Sequence, residues 1–380
     1  MQREELQTQI DKIDEQMLAL FRERIEAAKR LALCKQEEGL PVQDPARERK
    51  ILARMSEQAG EELSTYAYAL YSDILDMSKA SQEKALHPTS PLREQIERTI
   101  EQTPRLFPES AVVACQGVEG AYSQQACDKL FSHSDILYFN SFEGVFSAVD
   151  NGLCRYGVLP LENSTAGSVN KIYDLMMKYN FHIVRSTRLK IDHNLLAKKG
   201  TKVEGVREIF SHEQAINQCG EFLRSLPNAK ATVCENTAIA AQRVAESDRD
   251  DVAALSSRAC AELYGLEALA TSVQDRGNNY TRFICISKQP EIYPGADKTS
   301  IMMVLPHRPG ALYKVLARFY SLDINLTKLE SRPLPDRDFE FMFYFDLVAS
   351  VYSPRFAELM AGLDGLCEAF KYLGSYSEVL

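Results

Sequence analysis

The stretch "NNYTRFICIS", residues 278–287, decides how the chain is read. Four apolar residues, Phe283 to Ile286, form a run short enough for a buried strand. Ahead of them stand Asn278, Asn279, Tyr280, Thr281 and Arg282: two amides, a phenol, a hydroxyl and a guanidinium. A strand that begins this way delivers polar groups to the place where it leaves the core. The pattern recurs upstream. From Ala111 onward the short runs "AVVA", "YGVLPL", "HIV", "EIF", "ATVC", "VAAL" and "FICI" alternate with helical segments. That alternation predicts an α/β fold with a largely parallel sheet. Polar clusters follow four of the runs: "QGVEGAYSQQA", "ENSTAGS", "SHEQAINQC" and "ENTAIAA". In α/β folds such loops gather around a cleft. Each cluster also has a purely structural reading: Ser211 with Gln214 fits a capping box, Thr237 a helix cap, Gly117 with Gly120 a turn.

Outward from this region the pattern changes. In residues 1–86, Ile10, Ile13, Met17, Leu20, Ala28 and Leu31 recur at three- and four-residue steps, the period of an amphipathic helix. A first helix is expected from about residue 3 to Glu38, stopped by Gly39 and Pro41. It would measure roughly 50 Å at 1.5 Å per residue, too long for so small a domain to bury alone. Asp44 and Pro45 mark the start of a second helix and Gly60 its end; a third follows through "TYAYALYSDILDMSKASQ". One long helix with two shorter ones suggests an intertwined helical dimer. Residues 87–108 hold four prolines and read as a linker. After a second linker, residues 298–380 show the order strand, helix, two strands, helix, strand, the ferredoxin-like signature. Three domains are expected: 1–86 all-α, 109–289 α/β, and 298–380 α+β.

Bulk composition narrows the function. The 380 residues are 45% hydrophobic and 26% charged, with a net charge of −9. An ordinary globular composition with that charge argues against nucleic acid or an anionic membrane as partner. No apolar run approaches the roughly 20 residues of a spanning helix, and the charged N-terminus has no secretory core. The nine cysteines contain no CxxC pair, which points to reduced thiols in a cytoplasm. The six histidines lack metal-ligand spacing, so no structural metal is expected.

The helical region carries a cationic set. Arg24 and Lys35 are eleven residues apart, almost three whole turns, and share a face. Arg47 lies in the first turn of the second helix beside Glu48, after Asp44; Ser78 and Gln82 are an i, i+4 pair on the third. "IDKIDEQMLALFRER", Lys35, "DPARE" and "YSDILDMSKASQ" resemble the all-helical chorismate mutases over residues 5–85. The resemblance implies a rearrangement of chorismate to prephenate by conformer binding and charge stabilisation, without a nucleophile. Arg24 and Arg47 would bind carboxylate with Ser78, Lys35 and Gln82 would face the ether oxygen, and Asp44 and Glu48 the ring hydroxyl. Where that family has an arginine given to the partner subunit's site, this chain has Gln7. An amide can hydrogen-bond a carboxylate but supplies no charge.

Residues 111–288 resemble prephenate dehydratases, through "LENSTAGSV", "SHEQAINQC" and "NNYTRF" and the looser "GVEGAYS". The resemblance implies two α/β lobes like those of type-2 periplasmic binding proteins, crossing near residue 190 and returning near 265. It implies loss of ring hydroxyl and carboxylate together, giving phenylpyruvate, water and CO2. Thr281 would donate to the departing hydroxyl, acting more by polarisation than by full proton transfer. Asn163, Ser164, Ser211 and Gln218 would orient substrate, and Glu162 would hold the loop or polarise a neighbour. Arg282 is either a carboxylate anchor or a brace, the brace favoured because neighbours on a strand point apart.

"RPGALYKVLARF" and "KLESRPLPDRDFEFMFYFDL" resemble an ACT domain of the dehydratase family. In that family Gly310, Ala311, Leu312 and Glu330, Ser331, Arg332, Pro333 would bind phenylalanine between subunits. The order mutase, dehydratase, ACT resembles the bifunctional enzymes of phenylalanine biosynthesis, inhibited by phenylalanine and at least dimeric. The alternatives are a dehydratase whose N-terminal helices only dimerise, and a non-catalytic protein of two binding modules.

Overall fold

Two glycines in the left-handed region, Gly39 (φ +70°) and Gly60 (φ +74°), break the N-terminal region into helices. The computed structural model describes residues 2–41, 44–86, 91–334, 340–363 and 366–380. Helix α1 runs Gln2–Glu37, α2 Pro45–Gln58 and α3 Gly60–Leu86. Asp44 caps α2, its Oδ1 accepting from the Arg47 amide at 3.0 Å. The 36 residues of α1 span roughly 54 Å. Along it Leu6, Ile10, Ile13, Met17 and Leu20 remain between 47% and 65% exposed.

The region expected as a linker is partly ordered. Helix α4 spans Pro91–Gln102 and buries Ile96 and Thr99; residues 87–90 lie outside the described part. The prolines misled because Pro91 stands at the first position, where a missing N–H costs nothing. The chain divides into two compact units. One comprises Met1–Glu97, Tyr313–Arg318 and Pro354–Leu366; the other Arg98–Leu312, Phe319–Ser353 and Cys367–Leu380.

The second unit holds three sheets. The first contains β1 (Ser110–Gln116), β2 (His133–Phe139), β3 (Tyr156–Asn163), the short β4 (Gly167–Ser168) and β5 (His182–Lys190). Beside them run α5 (Tyr122–Leu130), α6 (Phe142–Asp150) and α7 (Asn170–Lys178). The chain then builds a second sheet from β6 (Asn194–Ala197), β7 (Glu208–Ser211), β8 (Lys230–Val233), β9 (Val252–Ser256) and β10 (Glu267–Ala270). Its helices are α8 (Glu213–Gln218), α9 (Gly220–Arg224), α10 (Thr237–Glu246) and α11 (Arg258–Tyr264). Strand β11 (Tyr280–Ser287) returns to the first sheet and lies between β5 and β3. Next come β12 (Lys298–Val304), β13 (Asn325–Pro333), β14 (Phe341–Val348) and β15 (Ala369–Tyr376), with α12 (Ala311–Ser321) and α13 (Pro354–Leu363), which belong mostly to the first unit, between them in sequence. These four strands pair antiparallel in the order β13-β14-β12-β15. The last strand, β16 (Glu378–Val379), joins β5 in the first sheet.

Both α/β sheets are mixed rather than largely parallel. β1, β2 and β3 pair parallel, as do β7, β8 and β9, but β11 runs antiparallel to β3 and β5, and β6 to β9 and β10. The antiparallel strands are those at the crossings between sheets, where no helix reverses the chain first. The return falls after Ala270, not near 265, because β10 is a further strand of the second sheet. Its "EALA" is too short and polar to register as an apolar run.

β11 inserts by strict alternation. Ile284 and Ile286 enter one apolar layer with Leu159, Ile172, Met302 and Tyr344. Phe283 and Cys285 enter another with Val113, Leu130 and Tyr156. Full burial of Phe283, Ile284 and Ile286 contributes about 1.5–3 kcal/mol each, enough to carry the polar residues at the strand's start into place.

Stability should depend on pH through His182 on β5. Burial first, and then the charge of Lys371, push its imidazole down to about 4, against about 6.5 when unfolded. The stabilisation is complete above about pH 6.5 and drains away as pH falls toward 4, because only the unfolded chain takes up the proton. The urea midpoint followed by near-ultraviolet circular dichroism should drop between pH 7 and 5, and His182→Gln should flatten that slope.

Candidate active sites

In the first unit a cavity of about 320 Å³ lies among α1, α2 and α3. Arg24, Lys35, Asp44, Arg47, Glu48, Ser78 and Gln82 all line it. Arg24 Nη1 donates to Ser78 Oγ, which itself donates to the Ile74 carbonyl at 2.8 Å. Gln82 Nε2 donates one hydrogen to the Ala28 carbonyl at 3.1 Å and keeps a second. Lys79 Nζ sits 3.0 Å from both Glu48 Oε2 and Asp76 Oδ1. Gln7 is exposed on α1 and is not among the lining residues of its own chain's cavity.

In the second unit a cleft of about 410 Å³ receives residues from both α/β sheets. Asn163, Gln218 and Thr281 line it together with His193, His212, Asn236 and Thr237. The hydrogen-bond directions at its floor are fixed from the backbone outward. Asn163 Oδ1 accepts from the amides of Thr165 and Ala166 at 3.0 and 2.8 Å. Its Nδ2 therefore donates, to Asn279 Oδ1 at 2.8 Å and Thr281 Oγ1 at 2.9 Å. Asn279 then presents Nδ2 to Gln218 Oε1 at 2.8 Å. The same Oε1 lies 3.0 Å from His193 Nε2, so that nitrogen carries the proton. Thr281 uses its lone pair on Asn163, and its own hydrogen has no acceptor among the described residues.

The acidic side chain among the described residues lining the cleft is Glu235. Among its described lining residues there is no lysine or arginine. The starts of α5, α8 and α10 open into it through Tyr122 and Ser123, Gln214, and Thr237, and helix N-termini favour anions. Burial lowers the pKa of His193 against the opposing effect of Gln218, and that of His212 against Glu213.

Other expected site residues lie elsewhere. Ser211 is fully buried beneath the cleft and donates to the Leu255 carbonyl at 2.7 Å. It does not cap α8; His212 does, its Nδ1 accepting from the Gln214 amide at 3.2 Å. Thr237 is likewise the first residue of α10, whose cap is Asn236. Ser164 ties its loop to β11, donating to the Asn278 carbonyl and accepting from the Tyr280 amide, both at 2.9 Å. Glu162 and Arg282 face away from the cleft and pair at 2.8 Å. Although burial works to raise it, Arg282 and Lys328 hold the Glu162 carboxyl below the usual range. Gly310 (φ +82°) caps α12, which begins at Ala311 and Leu312. Glu330, Ser331, Arg332 and Pro333 end β13. Glu330 Oε2 accepts from Ser168 Oγ at 2.5 Å, and Arg332 grips Asp174 by two bonds of 2.9 and 3.1 Å.

Comparison with known proteins follows this division. The family model for chorismate mutase type II matches residues 6–83, and that for prephenate dehydratase matches residues 113–291. A bifunctional chorismate mutase/prephenate dehydratase of Aquifex aeolicus is 32% identical over 378 residues, covering 99% of this chain and 98% of that one. The chain belongs to the bifunctional chorismate mutase/prephenate dehydratases. Arogenate dehydratase 2 of Petunia hybrida is 38% identical over 281 residues, 70% of this chain and 71% of its own. The prephenate dehydratase of Arthrobacter aurescens, solved in complex with L-Phe, superposes with a TM-score of 0.65 at 28% identity, covering 70% of this chain and 89% of that chain.

Lys79, Arg54 and Tyr71 of the mutase cavity, and His193 of the dehydratase cleft, escaped the sequence reading. Arg54 was findable: it stands seven residues after Arg47, two turns along the same face of α2. His193 had no such signal, because its role comes from a bond to Gln218, 25 residues away. Arg24→Met should lower chorismate consumption by about 100-fold, the scale for losing one positioned charge donor. Prephenate dehydration measured on the same sample should be unchanged.

Proposed function

We propose that this protein converts chorismate to prephenate in the helical cavity and prephenate to phenylpyruvate, CO2 and water in the α/β cleft. The domain division is 1–86 mutase, 87–108 connection, 109–289 dehydratase with lobes of the type-2 periplasmic-binding kind, and 298–380 an ACT domain. In the mutase cavity Arg24 and Arg47 take the two carboxylates, and Ser78 orients Arg24. Lys35 and Gln82 donate to the ether oxygen as its bond breaks and charge builds there. Asp44 and Glu48 receive the ring hydroxyl.

In the dehydratase cleft the helix starts hold the two carboxylates, and Thr281 directs its hydrogen at the ring hydroxyl. As the C–O bond breaks, that hydrogen bond polarises the departing oxygen, which takes a proton from solvent and leaves as water. The bond to the ring carboxylate breaks with it, CO2 departs, and the electron pair completes the aromatic ring. The observation that carries the reading is the Asn163–Thr281 bond, which spends the lone pair and leaves the hydroxyl hydrogen for substrate. Phenylalanine would act at Gly310–Leu312 and Glu330–Pro333 by binding two states with different affinity. All nine cysteines are free, which fits a cytoplasmic enzyme. The stripe Leu6, Ile10, Ile13, Met17 and Leu20 packs against a second copy, and Gln7 serves that copy's cavity.

Two measurements test this. Given chorismate alone or prephenate alone, the protein should form phenylpyruvate from both; product from prephenate only would leave a monofunctional dehydratase on a helical dimeriser. Thr281→Ala should lower turnover of prephenate by about 100-fold, whereas Thr281→Ser should keep most of it. Full turnover by a folded Thr281→Ala protein would end the role given to that hydroxyl. Separately, Ile10→Glu should shift the mass measured by light scattering to that of a monomer.

A further inference from the structure

We propose that Asp346, a residue of the C-terminal sheet, is a positioning residue for the dehydratase, acting on Thr281 through Arg282. The inference rests on the role given to Thr281 above.

Thr281 and Arg282 are consecutive on β11 and oppose Asn163 and Glu162 on β3 in register. One pair faces the cleft, where Asn163 holds Thr281 at 2.9 Å. The other faces away, where Arg282 Nε lies 2.8 Å from Glu162 Oε1. The other end of that guanidinium is gripped by Asp346 Oδ2. Asp346 in turn is held by Ser300 Oγ and Tyr344 OH, each 2.5 Å from its Oδ1, with Tyr376 OH at 3.5 Å. Lys328 completes the cluster 3.0 Å from Glu162 Oε2. Glu330 Oε2 lies 3.5 Å from the same Lys328 ammonium, so two cations face three carboxylates.

This arrangement sets geometry more than it adds stability. Arg282 and Asp346 are 7% and 2% exposed, and a buried ion pair returns little more than its desolvation costs. What it does supply is direction. A guanidinium hydrogen-bonded to Asp346 and in ion-pair contact with Glu162 allows its backbone little travel, and Thr281 shares a peptide bond with it. Residues Asp346, Ser300, Tyr344, Tyr376 and Lys328 all come from β12 to β15, so the C-terminal sheet fixes the height of the donor in the cleft. A catalytic donor displaced by about 1 Å loses on the order of 100-fold in rate.

The test uses the full chain and phenylpyruvate formation from prephenate, with chorismate consumption on the same sample as the control for folding. Asp346→Asn should lower kcat about 10- to 100-fold while KM stays within about two-fold. Placed on Thr281→Ala it should cost less than about two-fold, because the group it positions is gone. Tyr344→Phe, which removes one hydroxyl and keeps every charge, should give a smaller drop with the same dependence on background. That variant decides the matter if Asp346→Asn fails to fold. An equal loss in both backgrounds, or a loss confined to KM, would make Asp346 a structural residue and overturn the inference. Wild-type turnover by Thr281→Ala would instead overturn the role of Thr281 itself, and this inference with it.

Discussion

Neighbouring residues of a strand face opposite ways, and at Thr281 and Arg282 this joins the chemistry to the frame. The hydroxyl reaches the cleft because the guanidinium is committed behind it, between Glu162 and Asp346. Removing either partner of the buried Arg282–Asp346 pair costs roughly 3–5 kcal/mol, since the other charge is left unpaired. That penalty rivals the burial of two apolar side chains of β11. The strand is therefore held by its core residues and aligned by its charges, and the two jobs fall on different residues.

The two sites meet similar dianions by different means. The cavity of the helical region is lined by three cations on flexible stems, Arg24, Lys35 and Arg47. The cleft of the α/β region is lined by helix starts, neutral amides and the carboxylate Glu235. The difference suits the reactions. A rearrangement must gather a conformer and meet charge at one oxygen. A fragmentation must release a carboxylate as neutral CO2, and a strong cation on that group would hold the charge in place.

Much of this was legible in the sequence because periodicity reports burial. The three helices, Asp44 as a cap, and the βαββαβ order of the C-terminal region follow from spacing alone. Seven residues named from the resemblance line one cavity of the helical region, since helical spacing converts directly into a shared face. In the α/β region Ser211, Ser164 and Glu162 do not line the cleft. A motif in a loop records that residues are needed together, not which way each one points. The short β10 and the helix α4 were missed for a related reason: "EALA" is too brief to show a period, and prolines flank α4 at the positions where helices accept them.

The place of β11 in its sheet also orders how the molecule can assemble. It lies between β5, which ends at Lys190, and β3, while the whole second sheet is built between β5 and β11. The first sheet thus stays split until a segment some ninety residues later returns. Closing so long a loop is entropically costly unless the intervening chain is already compact. The second sheet, whose own strands are contiguous in sequence, is the natural first body to form. It would then bring β11 home with its ends drawn together, making β11 the strand that joins the two parts of the sheet and its insertion a slow step of folding.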